Sequence, residues 1–280
     1  MWIWLVLLYG VLKGAREICK KKALTINTTM EVLFVYTLLS FVIVIPDIKN
    51  ALGLEPKYFG YILIKSFVIF LAWIFSFKAI KKLPISLYGV LDLSRVLFAT
   101  LLGTLVLHEV MTPLHIVGLI LVSFGLVMLK ISKNGNTDTD VKPIFVLMAF
   151  ASCVLNAVSG FLDKVLMKDI NSSQLQFWYM LFLVLMYLIF ILVTKTPINY
   201  KSALKNKWIW ILSIMFVIGD RALFIGNASA DSQISIMTLL KQAGCIVTIL
   251  AGKYIFKEKN TTHKLICASI IIAGIVLGVM

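Results

Sequence analysis

Ten apolar runs follow one another along this chain, each about as long as a bilayer core is thick, with short polar breaks between them. About 20 mostly apolar residues make one helical crossing, within a range of about 17 to 25. The runs fall at residues 2–20, 30–46, 60–80, 84–107, 113–131, 143–163, 174–193, 208–228, 232–255 and 262–280. Pro46-Asp47 is expected to stop the second, and Pro84 and Pro113 to open the fourth and fifth. The runs are continuous rather than alternating, which excludes a β-barrel. Composition agrees: 60% of residues are hydrophobic and 14% charged, about half the charge of a soluble domain. A water-soluble fold would expose large apolar patches. Soluble enzymes, nucleic-acid readers and secreted disulfide scaffolds are therefore excluded. The +14 formal charge is scattered between the runs, as in membrane proteins, and points to no nucleic-acid partner.

The first run lacks a basic start and a small-residue cleavage site, so it reads as a span and not as a signal peptide. Cys19, Cys153, Cys245 and Cys267 lie in apolar surroundings without metal spacing, and His108, His115 and His263 build no metal site. No cofactor or metal is expected.

Residues 133–142 read as a linker, and the chain repeats itself across it. An offset of 149 lays Ile85-Ser86 on Ile234-Ser235, Leu101 on Leu250, Gly103 on Gly252, Glu109 on Glu258, Thr112 on Thr261 and Gly125 on Gly274. An offset of 143 lays Phe34 on Phe177 and Tyr36 on Tyr179, and one of 142 lays Lys22 on Lys164. Five spans in each half is an odd number, so the halves must cross the bilayer in opposite senses. The expected fold is an all-α polytopic membrane protein of ten transmembrane helices arranged as two inverted five-helix repeats, residues 1–132 and 143–280.

These residues resemble a known family. Glu109 and Glu258, each followed by a glycine-containing helix (Gly118 to Gly125, and Ile266 to Gly274), are similar to the signature of the drug/metabolite transporter superfamily, EamA-type. Ala72-Trp73 to Ala79, and Gly226-Asn227-Ala228 before Ser235, resemble its third- and eighth-span pattern. The chain departs from the family at Val96 and Cys245, where members often carry proline. The resemblance implies alternating-access transport of a small organic molecule through a cavity lined mainly by the first, third, fourth, sixth, eighth and ninth spans.

Charge inside a span costs about 2.5–3.5 kcal/mol on insertion scales, so each such group calls for a partner or a wet cavity. Tyr9, Lys13, Arg16, Glu17 and Lys20 form one stripe on the first span. Tyr88, Asp92 and Arg95 do so on the fourth; Asn156, Ser159 and Asp163 lie on the sixth, Asp220, Arg221 and Asn227 on the eighth, Lys241 and Gln242 on the ninth. The offset of 149 makes Asp92 and Lys241 equivalent, so they are expected to face each other. Candidate substrate-binding residues are Tyr9, Lys13, Arg16, Trp73, Tyr88, Arg95, Asn156, Arg221, Lys241 and Gln242. Glu17, Asp92 and Asp220 are candidates for ion pairing or proton coupling, since burial and an approaching base shift a carboxylate's proton affinity in opposite senses. Blander roles compete. Lys20, Lys21, Lys22, Lys78, Lys81 and Lys82 read as snorkelling to the headgroups. Glu109 and Glu258 read as capping or orienting helix ends, Asp220–Arg221 as a structural ion pair with a neighbour, and Trp73 with Phe77 as packing.

Deep bases outnumber deep acids, and Lys and Arg suit carboxylate or phosphate. The expected function is secondary transport of an anionic or zwitterionic metabolite, such as an amino acid or phosphorylated compound, with protons or a counter-transported solute as coupling partner. The alternatives are export of cationic quaternary amines or hydrophobic compounds, and flipping of a lipid-linked anionic head group. No P-loop and no catalytic cluster is present, so an enzyme is not expected. A monomer in the plasma (inner) membrane, in contact with its lipids, is expected. Loops after the odd-numbered spans, counted with the adjoining span ends (Lys20, Lys78, Lys130, Lys253 and Lys264), hold 17 Lys against 4 after the even-numbered ones. The positive-inside rule then places both termini outside, whereas the family resemblance implies termini inside.

Overall fold

The computed structural model describes residues 2–99, 102, 113–131, 142–229, 241, 243–258 and 261–277. Its helices are α1 (Trp2–Ile26), α2 (Thr29–Val44), α3 (Ile48–Ala51), α4 (Pro56–Lys82), α5 (Ile85–Asp92), α6 (Pro113–Ile131), α7 (Pro143–Leu166), α8 (Ser172–Thr194), α9 (Tyr200–Lys205), α10 (Lys207–Ala228), α11 (Ala243–Tyr254) and α12 (Thr261–Leu277). Among the described residues, each of the ten apolar runs coincides wholly or partly with a helix. Five stretches are long and apolar enough to span unaided: Thr29–Ala51, Pro56–Lys82, Pro143–Leu166, Ser172–Thr194 and Lys207–Ala228. The charged stripe on α1, 25 residues long, sets it apart from these five.

Helix starts follow local chemistry. Pro56 and Pro143 occupy first-turn positions, where a missing N–H costs nothing. Thr28 with Glu31 and Asn171 with Gln174 form reciprocal capping boxes. Pro46 does not end the second span, as expected from sequence. It sits in a single 3-10 turn, Ile45–Asp47, that leads straight into α3, because proline is tolerated in a first turn. The short helix α9, which hydropathy did not foresee, is capped by Asn199 and buries Ala203.

The fourth run was expected as one helix and is not. The Leu93 and Ser94 amides donate three residues back, to Val90 O and Leu91 O at 3.1 and 3.0 Å, and Val96 N does the same to Leu93 O. Helix resumes at residues 95–99. The tightened turn lies where α5 meets α7, with the Cys153 thiol directed at the Leu91 carbonyl at 3.7 Å. At 1.5 Å per residue the break stands about 14 Å from the start of α5, nearly halfway through a bilayer core of about 30 Å.

Packing follows the repeat. α1 lies along α10, and α4 lies along α7; these are the first and eighth spans and their counterparts, the third and sixth. α6 pairs with α12, the two fifth members, and α11 packs on both α1 and α5. Two crossings depend on glycine. A Cβ on Gly14 would meet the Gly244 carbonyl at 2.6 Å, and one on Gly274 would meet the Gly118 carbonyl at 2.8 Å. Such backbone contact is the usual way to associate helices in lipid, where apolar burial gives no drive.

Successive loops lie at opposite ends. Lys21 reaches the Leu83 carbonyl, Lys81 the Asn27 carbonyl at 3.2 Å, and Asn206 the Asn27 side chain at 2.9 Å. Turns after the first, third and seventh spans thus share one end. Asn171 donates to Asn50 O, Gln174 to Leu52 O and Trp178 to Ala51 O, joining the turns after the second and sixth spans at the other.

Candidate functional site

The stripe on α1 meets its partners at the centre. Lys13 pairs with Asp92, and Arg95, one turn on, reaches the other Asp92 oxygen at 3.1 Å. Arg16 pairs with Asp220 at 3.1 Å, and the Tyr179 hydroxyl donates to the second Asp220 oxygen at 2.7 Å. The Arg16 guanidinium lies 5.3 Å from the Tyr9 ring and 5.2 Å from the Phe216 ring. Lys20 bonds Glu17 at 2.7 Å and stands 4.5 Å from the Phe77 ring. It does not snorkel to the surface: buried acid and aromatic partners are within its reach, so the ammonium stays inside.

Sequence reasoning missed Lys65, the most buried charged residue among those described, at 2% exposure. It pairs with Asp163 at 3.1 Å and lies over the Tyr179 ring at 3.8 Å. The signal was present as a lone lysine inside the apolar run of the third span. Tyr179 thereby joins two ion pairs, one between α1 and α10 and the other between α4 and α7.

Other expected residues disperse. Arg221 leaves the centre for Asp47, Gln176 and Ser173, at 2.6, 2.6 and 2.7 Å. Asp220 and Arg221 each form an ion pair with a neighbouring element, in keeping with the structural reading of this dipeptide. Asn156 donates to the Ser152 carbonyl of its own helix at 2.7 Å. Trp73 packs edge-on against Phe216 and tilted against Tyr36, with centroids 5.2 and 5.3 Å apart. Tyr88 and Ser76 share a hydrogen bond of 2.6 Å. Lys241 does not meet Asp92, which Lys13 and Arg95 already occupy; it stands within Coulombic reach of Asp163, Arg95 and Lys13. Among the described residues no carboxylate lies within 4 Å of it. Gln242 and Glu109 lie outside the described residues.

Glu258 caps a helix, as its position in the repeat implied, and does so across the halves. Its two oxygens accept from Ile85 N at 2.5 Å and Ser86 N at 3.2 Å, and the Ser86 hydroxyl also donates to it. Lys264 binds Ser86 Oγ at 2.6 Å and completes the cap.

Lys13, Gly14, Glu17, Tyr88, Gly89, Asp92, Gly244, Cys245 and Thr248 line a cleft between α1, α5 and α11 with about 10 Å³ of free volume. That is roughly the room one water needs. This cleft has no room for a metabolite, and Lys13, Glu17, Tyr88 and Asp92 along it are engaged with other side chains. Among the described residues no group of His, Cys, Asp and Glu could hold a metal ion.

A repeated helical bundle with ion pairs buried between its halves defines a polytopic membrane protein of transporter type. The EamA-like transporter family matches residues 1–131 and 143–280. The chain belongs to the EamA-like transporter family, which is a family of transporters and not of enzymes. No curated protein matches it in sequence. Among the 29 matching chains of solved structures, one crystal structure superposes with a TM-score of 0.70 at 13% identity, over 99% of this chain and 95% of its own. That likeness is one of fold.

Proposed function

We propose that this transporter carries a small anionic or zwitterionic metabolite, an amino acid or a phosphorylated compound, by alternating access in the plasma membrane. One observation carries the reading: among the described residues, the charges grouped at the centre do not balance. Lys13, Arg16, Lys20, Lys65, Arg95 and Lys241 face Glu17, Asp92, Asp163 and Asp220. Asp92 serves two bases at once, and Lys241 has none of these acids within ion-pair distance. An uncompensated positive charge in a low-dielectric interior is costly, and an arriving carboxylate or phosphate relieves it. Asp92 then acts as a placeholder, holding Lys13 and Arg95 in position until a substrate acid takes over one of them. Its release is also the step at which a proton can enter the cycle.

The test is thermal melting of the detergent-purified protein against amino acids, phosphorylated metabolites, organic anions and quaternary amines, since a ligand of the folded state raises the Tm. Stabilisation by anions or zwitterions that disappears in Lys241→Ala is the expected result. Stabilisation by quaternary amines alone would reverse the sign of the site.

A further inference from the structure

The break in the fourth span leaves polar atoms without partners beside the central ion pairs. Ser94 is fully buried, at 0% exposure, and among the described residues its hydroxyl has no oxygen or nitrogen partner, only the Cys153 thiol. A thiol is a weak hydrogen-bonding group. One residue on, Arg95 spends one terminal nitrogen on Asp92, while its buried Nε has no partner. A buried hydroxyl and a buried guanidinium N–H are each expensive to leave unbonded. Here both occur within two consecutive residues, at a helix discontinuity near the membrane midplane. Interrupted spans of this kind expose backbone and side-chain donors where transporters bind their cargo.

We propose that the Leu93–Ser94 break seats the acid group of the substrate, with the Ser94 hydroxyl and Arg95 Nε as donors and Lys241 as an added positive charge. This rests on the anionic reading above and adds Ser94 to it as a specificity-determining residue. A hydroxyl and a guanidinium edge fit a carboxylate or phosphate oxygen pair, and the guanidinium, positively charged and without an acceptor, disfavours a purely cationic cargo. Substrate arrival would then satisfy both donors and make Arg95 the base that the substrate acid takes over from Asp92.

The experiment uses the purified full-length protein, melted in the presence of inorganic phosphate, acetate or choline at constant ionic strength. Phosphate and acetate are expected to raise the Tm in a saturable way. Ser94→Ala removes only a buried hydroxyl whose polar neighbour is the weakly bonding Cys153 thiol, so without added anion it should melt at or above the wild-type temperature. With anion its half-saturating concentration should rise about ten-fold, the worth of one charge-assisted hydrogen bond. Equal responses of wild type and Ser94→Ala would overturn the seat and leave the anionic reading standing. A wild type unmoved by either anion also overturns the seat, and stabilisation by choline in their place overturns the anionic reading with it.

Discussion

At the scale of single residues, the interior is organised by which charge finds which partner. Lys65 is the clearest case, since its ammonium has Asp163 on one side and the face of Tyr179 on the other. Removing one member of a buried pair strands the other, at a cost of about 3–5 kcal/mol, whereas an apolar pair of similar volume is often neutral. Lys65→Met should therefore lower the Tm markedly, and Lys65→Met with Asp163→Leu should recover most of the loss, both read by thermal melting in detergent. If the single variant melted like the wild type, the pair would be no structural support. The same logic explains why Arg221 was misread from sequence. A charge deep in a span has several acids at similar depth, and only the rotation of α10 sends Arg221 to Asp47 and Asp220 to Arg16.

At the scale of elements, α5 is held from both ends by residues of the other half. Its N-terminus, preceded by Pro84 and without a side-chain cap of its own, takes Glu258 as a cap in trans. Glu258→Ala should cost about 1–2 kcal/mol, in the range of a lost N-cap, with Glu258→Gln intermediate; the melting temperatures of the two variants check the order. Much at this scale was legible beforehand. The positions of the spans followed from apolar length, and the capping role of Glu258 from its place in the repeat. The break at Leu93–Ser94 was not legible, because Val96 replaces the proline that would have announced it and Leu-Ser-Arg carries no breaker. The Pro46 turn misled in the opposite direction, since the residues after it kept helical geometry as far as Ala51. The central pairs depended on rotations of α1 and α5 about their axes, which the approaches of Gly14 to Gly244 and of Gly89 to Thr248 constrain and hydropathy does not encode.

At the scale of the whole molecule, the turns after the first, third and seventh spans are bonded together at one end, and they belong to the lysine-rich set. The charge rule then predicts that this end faces the cytoplasm and that the C-terminus lies outside. A C-terminal fusion to a reporter active only in the cytoplasm should stay silent; a bright fusion would reverse the orientation. The stripe on α1 has a consequence for how the chain is made. Lys13 pairs 79 residues downstream and Arg16 pairs 204 residues downstream. At a synthesis rate of about 5–20 residues per second, Arg16 waits roughly 10 to 40 s for Asp220 to emerge. Glu17 and Lys20 pair within the helix and Lys13 meets Asp92 sooner, so Arg16 alone waits out that interval, and the first helix to leave the ribosome is among the last to have all its charges paired.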